Sequence, residues 1–337
     1  MDISCIADRN NQADEPEVGI VIIGRNEGDR LVNCLRSISA HKDRIIYVDS
    51  GSTDGSVAAA ALVCAGVVLL DISIPFTAAR ARNAGLDALL KIWPDTAFVQ
   101  FLDGDCELDA DWIKTATTFM AAHQQVALVF GRRRERFPNK TIFNSICDRE
   151  WDGAPGEKTE CGGDILVRCQ AIADVRGYTD HLIAGEEPEM CIRLRSRGWI
   201  IWRLPVEMSI HDANISRFGQ WWKRSVRSGH AYAEISALHF RSPFCIWRAN
   251  LTRTLVWAGL IPIAAIGGIP AHPLSLSLFL AYPLQVLRVA YRMRTDDSRR
   301  WKYALFETIG KFAELQGAIQ YHANCICGRR QRLIEYK

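Results

Sequence analysis

The chain has 337 residues, a formal net charge of +3 and 48% apolar residue types. That length suffices for one large core or two moderate ones. Mean hydropathy near zero excludes a protein embedded in membrane throughout, and so small a net charge gives no reason to expect a nucleic-acid partner. The chain opens on a polar, acidic stretch from Asp8 to Glu17 without an apolar signal-peptide core before it. A disordered lead-in is expected over residues 1–17. Apolar runs then alternate with helical patterns, which predicts βαβ units and an α/β fold with a Rossmann-like, mostly parallel central sheet flanked by helices. Strands are expected near Val18–Ile23, Arg44–Val48, Val67–Leu70, Ala97–Leu102 and Val126–Phe130. Helices are expected near Asp29–Ser39, Ser56–Ala65, Thr77–Ile92 and Asp111–His123, with Asp109 as N-cap of the last.

Beyond Gly131 the chain turns basic, with Arg132, Arg133, Arg134 and Arg136. Such a run is either a solvated face or a surface for an anionic acceptor. A further strand to Val167, a helix over Glu186–Gly198 and a strand over Trp202–Ile210 follow in the pattern. The last hundred residues differ in kind. Between Arg253 and Arg288 stand 34 residues without Asp, Glu, Lys or Arg. One spanning helix needs about 20 apolar residues, so the run is long for one span and short for two. Arginines flank both ends, which favours both ends on the cytoplasmic side. A short membrane-associated hairpin over residues 236–300 satisfies both facts; a buried helical pair is the alternative. Residues 301–337 read as an amphipathic basic helix suited to an anionic lipid surface. Eleven cysteines lie scattered without paired spacing, as expected of reduced thiols in a cytosolic compartment. Cys325 and Cys327 are too close together for a usual zinc knuckle and read as plain thiols.

Three expected strands end in polar, mostly acidic residues. Arg25, Asn26 and Glu27 follow the first, Asp49 to Asp54 the second, and Asp103, Gly104 and Asp105 the fourth. Doubly wound sheets bind ligands at the carboxyl ends of their parallel strands, so Asp49, Asp103 and Asp105 share one rim. Two carboxylates around one glycine suit a hard divalent cation that keeps coordination sites for phosphate oxygens. A metal between acidic side chains and a diphosphate is the core of a nucleotide-sugar enzyme. Asp54 either assists there or opens a turn and helix. Arg82 either pairs bidentately with phosphate or forms a surface salt bridge. Glu186, Glu187 and Glu189 open a helix, where the macrodipole favours negative charge; they are candidates for a base or simply stabilise the helix. His211 is a metal ligand or a packed histidine. Trp221, Trp222 and Arg224 are an acceptor wall or ordinary core.

Six elements in order carry a family resemblance: Arg25 to Glu27, Asp49 to Asp54, Ala81 to Gly85, Asp103 to Asp105, Cys161 to Asp164, and Gly185 to Glu189. From about Val18 to about Glu234 the chain resembles an inverting family-2 glycosyltransferase of the GT-A fold. The resemblance implies a catalytic domain over residues 18–235, with Asp49 as the uridine-side carboxylate flanked by Arg25 and Glu27. It implies Asp103 and Arg82 at the ribose-diphosphate, and Mg²⁺ or Mn²⁺ on Asp103, Asp105 and His211. The base is implied to be Glu187, where the family more often has Asp, with Glu186 in competition. Trp221, Trp222 and Arg224 fall in the acceptor-side segment, which departs from the Gln-x-x-Arg-Trp of processive synthases. Transfer of a single sugar is therefore expected, from a UDP-sugar to a lipid-linked or cell-surface glycan acceptor at the cytoplasmic face of the plasma membrane. Two alternatives are a sugar-nucleotide pyrophosphorylase-like nucleotidyltransferase and a non-catalytic, membrane-docked nucleotide-sugar binding module.

Overall fold

Continuous apolar runs place the first strands at the centre of the chain. The computed structural model describes residues 17–293, 298–329, 331, 334 and 335; of the lead-in expected over residues 1–17, residues 1–16 lie outside them. Strands β1 (Val18–Gly24), β2 (Ile45–Asp49), β3 (Gly66–Leu69) and β4 (Phe98–Asp103) alternate with helices α1 (Asp29–Ser37), α2 (Ser56–Ala61) and α3 (Ala78–Ile92). In β1, Ile20 and Ile22 enter one core cluster while Val21 and Ile23 enter another on the opposite face. Burial on both faces explains why the strand reads as one apolar run rather than as an alternation. Those four side chains contribute on the order of 6–12 kcal/mol as an upper bound.

The chain continues through β5 (Cys106–Leu108), α4 (Trp112–Ala122), β6 (Val126–Glu135), α5 (Ile142–Glu150), β7 (Gly156–Lys158) and β8 (Ile165–Arg168). It then forms α6 (Cys169–Asp174), α7 (Glu186–Ser196), β9 (Ile200–His211) and α8 (Phe218–Leu238). The strands make one sheet in the order β3-β2-β1-β4-β8-β6-β9-β5, with β7 also on β9. Strands β1 to β4 pair in parallel, whereas β8 runs antiparallel to both β4 and β6. Asp109 does not cap α4 as expected. Its Oδ1 accepts from the Asp111 amide in the turn before the helix, and Asp111 occupies the cap position.

After α8 come two 20-residue helices, α9 (Arg248–Gly267) and α10 (Pro273–Arg292), each long and apolar enough to cross a membrane by length and composition. The apolar run looked short for two spans, but the helices extend into the flanking arginines and reach full length. Most of their surface is uncovered: Leu260, Ile263, Leu274 and Leu284 are all exposed.

The segment expected to lie on a lipid surface is joined to the body along one face. Helix α11 (Arg300–Ile326) buries Tyr303, Ala304, Gly310, Ala313 and Gly317, and packs against α8. The two backbones nearly touch. A Cβ at Gly317 would stand 1.9 Å from the Val226 carbonyl oxygen, and one at Gly229 would stand 1.9 Å from that of Glu314. Only glycine fits such a crossing. Gly317→Ala should therefore cost about 2–3 kcal/mol and lower the thermal midpoint followed by circular dichroism. Gly219→Ala, where a Cβ meets nothing within 4 Å, should cost nothing. Equal midpoints for the two variants would show that the α8–α11 contact is loose.

Candidate active site

Sheet topology gathers the polar strand ends. Gly24 pairs with Asp49 and Ile23 with Asp103, so the carboxyl ends of β2, β1 and β4 share one edge. Because β8 is antiparallel to β4, its beginning lies at that edge, and Asp164 just before it reaches back to the Asp103 amide with Oδ1 at 3.1 Å. Strand β9 returns past β5 in register Cys106 to His211, which sets His211 beside Asp105. These ends open on a cleft of about 790 Å³ between the sheet edge and α8.

A buried guanidinium ties the cleft together. Arg82, from α3, donates to Asp103 Oδ1 at 2.9 Å and to Glu186 Oε1 at 3.0 Å, and pairs with Glu187 Oε1 at 2.7 Å. Burial works against its charge, but Glu187 and Asp103 outweigh that and hold it well above the usual arginine range. A second cation, Arg133, sits 3.3 Å from Asp103 Oδ2 and 2.8 Å from Asp164 Oδ2, which also accepts from Ser209. Burial raises the Asp103 carboxyl, yet Arg82 and Arg133 prevail and keep it below its ordinary range. Burial dominates at Glu187. It lifts the carboxyl to about 7 against the pull of Arg82, with Glu186 and Asp103 adding to the rise.

The donor chemistry of the next cluster fits a divalent cation. His211 Nε2 stands 3.2 Å from Asp105 Oδ2, and Asp105, Cys106 and His211 offer ligand atoms within 4.8 Å of one another. Carboxylate and imidazole suit Mg²⁺ or Mn²⁺. Burial drives the Cys106 thiol well above its usual range, so it is a weak donor toward Asp105 rather than a thiolate. Asp103, expected as a ligand, is not in this group. Each of its carboxylate oxygens faces an arginine instead, and its ligand atoms cluster with Cys106 and Asp164.

Other expected site residues are placed differently. Asp49 is 3% exposed, and both its oxygens serve its own turn, taking the Tyr47 hydroxyl and the Gly51 and Ser52 amides. It does not line the cleft, whereas Ser50 beside it does. Asp54 accepts from the Ser56 amide as the turn that starts α2, and bonding to Ser56 lowers its carboxyl. Arg25 and Glu27 do line the cleft; Arg25 stacks over Phe76 at 4.4 Å and pairs with Glu335, and Glu27 pairs with Arg30. Trp221 is core, packed with Phe143 and Phe306, and Trp222 donates to Gln316 on α11. Neither indole reaches the cleft, because their face of α8 turns toward α5 and α11. Arg224 does line it, paired with Glu150.

The third carboxylate of the helix start is structural. Burial alone would raise Glu189, but His239, Arg193 and Thr179 bring it down to about 2. Sequence reading had not singled out Arg133 as a site residue; the signal was its place between Arg132 and Arg134 in a strand, where neighbours point to opposite faces. A depressed folded-state value means that Glu189 contributes stability above the unfolded value near 4.5, lost as pH falls toward 2. Glu189→Gln should lower stability by roughly 3 kcal/mol at pH 7, with a gap to wild type that narrows below pH 4.5 in urea titrations. A gap independent of pH would rule out the ionic anchor.

Comparison with known proteins bears on the class of protein and its fold. Residues 19–172 match the sequence model of Glycosyl transferase family 2. The pre-mycofactocin glycosyltransferase of Mycobacterium tuberculosis is 28% identical over 238 residues, covering 66% of this chain and 48% of that protein. The succinoglycan biosynthesis protein ExoA of Rhizobium meliloti is 28% identical over 198 residues, 54% of this chain and 59% of its own length. The chain thus spans only about half to three fifths of these relatives. Among solved structures, the mannosyltransferase PcManGT of Pyrobaculum calidifontis, in complex with GDP-Man and Mn²⁺, superimposes with a TM-score of 0.63 at 16% identity, covering 91% of this chain and 88% of its own. Residues 19–172 thus carry a glycosyl transferase family 2 domain, and the chain is built on the GT-A fold.

Proposed function

We propose that the chain transfers one sugar, with inversion, from a nucleotide-diphosphate sugar to a lipid-linked or cell-surface glycan acceptor, with a UDP-sugar first among the donors. One observation carries the reading. A single guanidinium, Arg82, holds the donor-side carboxylate Asp103 and the base candidates Glu186 and Glu187 on one cleft. The solved neighbour is a complex with a nucleotide sugar and Mn²⁺, and ExoA is named for polysaccharide biosynthesis; both support the class of donor and acceptor.

In this reading Glu187 takes the proton of the acceptor hydroxyl as its oxygen attacks the anomeric carbon from the face opposite the leaving diphosphate. A carboxyl held near 7 is well matched to that task. Arg82 keeps Glu187 oriented. A divalent ion held by Asp105 and His211 would stabilise charge on the departing diphosphate as a Lewis acid. The exposed apolar sides of α9 and α10, with Arg248, Arg253, Arg288 and Arg292 at their ends, support docking at the cytoplasmic face of the plasma membrane.

Isothermal titration with a panel of nucleoside diphosphates, with and without Mn²⁺, tests the donor site. Metal-dependent binding of one nucleotide, lost in Asp105→Ala, is the expected result; no binding to any nucleotide would end the transferase reading. Glu187→Gln should slow donor turnover by about 10²–10⁴-fold while nucleotide affinity changes far less. Because the ionised form grows as pH rises through the raised value, wild-type turnover should climb up to about pH 7 and then level off. A flat profile from pH 5 to 8.5 would remove Glu187 from the base role.

A further inference from the structure

We infer that the α8 wall of the cleft binds the phosphate linkage of a lipid-phosphate-linked sugar, with Arg227 as the anion-binding side chain. The inference rests on the transferase reading and names the acceptor class. Among the described residues, six arginines line the cleft. Arg25 pairs with Glu335, Arg30 with Glu27, Arg82 with Asp103 and Glu187, Arg133 with Asp164, and Arg224 with Glu150. Arg227 is half-buried and makes no ion pair or side-chain hydrogen bond among the described residues. A guanidinium drawn partly out of water without a carboxylate loses hydration for no return, unless an anion arrives. Its planar fork matches two phosphate oxygens.

The surroundings say what carries the anion. Arg224, Arg227, Ser228, Ala231 and Tyr232 all line the cleft, at spacings that make one stripe of α8. Polarity falls along that stripe. From Arg227 to Tyr232 is about 8 Å along the helix axis. The Tyr232 ring meets Trp247 edge to face, with centroids 5.1 Å apart, and Trp247 immediately precedes the exposed apolar helix α9. A cation at one end and aromatic, then aliphatic, surface at the other fit an amphiphile with an anionic head. A soluble glycan would leave the apolar end without a use. The reaction balances on the acceptor sugar beyond the phosphate. Its hydroxyl loses a proton to Glu187, the oxygen bonds to the donor's anomeric carbon, and the nucleoside diphosphate leaves with the electrons of the broken C–O bond.

The test uses the full chain in detergent, titrated with farnesyl phosphate, farnesol and a nucleoside diphosphate with Mn²⁺. Farnesyl phosphate should bind at least about tenfold more tightly than farnesol. Arg227→Gln should erase that preference, Arg227→Lys should lose less, and nucleotide affinity should stay within about twofold in both, which also reports that they fold. Equal affinity of the wild type for phosphate ester and alcohol would overturn the proposal, as would a preference that survives Arg227→Gln. Nucleotide affinity falling in Arg227→Gln would overturn it too, by assigning the residue to the donor diphosphate. Nucleotide binding by the wild type checks the transferase reading separately, so the two ideas fail independently.

Discussion

Three carboxylates, Asp103, Glu186 and Glu187, converge on one buried guanidinium, and the architecture around the cleft follows from that constraint. Like charges so close would repel strongly in a low-dielectric site. Arg82 removes the conflict by standing among them, 2% exposed and layered against Tyr178. The arrangement needs α3, the end of β4 and the start of α7 to meet at one point. It also needs an empty position opposite, since a Cβ at Gly163 would lie 2.7 Å from Arg82 Nη2 and 2.9 Å from Asp103 Oδ2. Because one side chain serves Asp103 as well as Glu186 and Glu187, a shift of one carboxylate is felt by the others. The charge balance of the cleft is therefore a shared property and not a sum of separate pairs.

A change of strand direction supplies what the parallel half of the sheet lacks. Parallel strands deliver only their carboxyl ends to the cleft. Strand β8 enters antiparallel and so delivers its amino end, and with it Asp164, which grips both the Asp103 amide and Arg133. Strand β6 reaches the same edge through register shifts around Arg132, which bring Arg133 level with Ser209 and Glu135 level with His211. The cation and the imidazole that complete the rim thus depend on a strand irregularity.

That dependence explains how far the sequence was legible. The strands β1, β2 and β4 were readable within about a residue, because burial on both faces leaves an uninterrupted apolar run that ends abruptly in polar residues. The gathering of Asp103 and Asp105 at one edge followed from the topology of such sheets. Partner choice did not follow. Asp49 and Asp103 look alike as acidic strand ends, yet one closes its own turn and the other faces two arginines, a difference set by residues 21 and 30 positions away. Trp221 and Trp222 were ambiguous for a simpler reason. Helical spacing says that residues share a face without saying what the face meets, and here it meets α5 and α11. The packing of the tail helix on α8 was not legible because its small residues, Gly310, Ala313 and Gly317, carry no charge pattern. Their meaning lies in the matching Gly229 on α8.

Helix α8 is where the two halves of the molecule become one. One stripe lines the cleft through Arg224, Arg227 and Ala231; another buries Trp221 and Gly229 against α5 and α11. Its far end leads within nine residues to Trp247 and the apolar helix α9. Even the neutral pair on its buried side fits this role. His230 and Glu234 stand 3.5 Å apart, close enough for an ion pair, yet burial lowers the one and raises the other to about 7. Both shifts favour uncharged forms, so the contact is better described as a neutral packing pair. A helix that turns Arg224 and Arg227 toward the cleft and keeps its buried side uncharged can stand between a polar cleft and an apolar hairpin. That polarity sorting, more than any single residue, is the physical ground for proposing an amphiphilic acceptor.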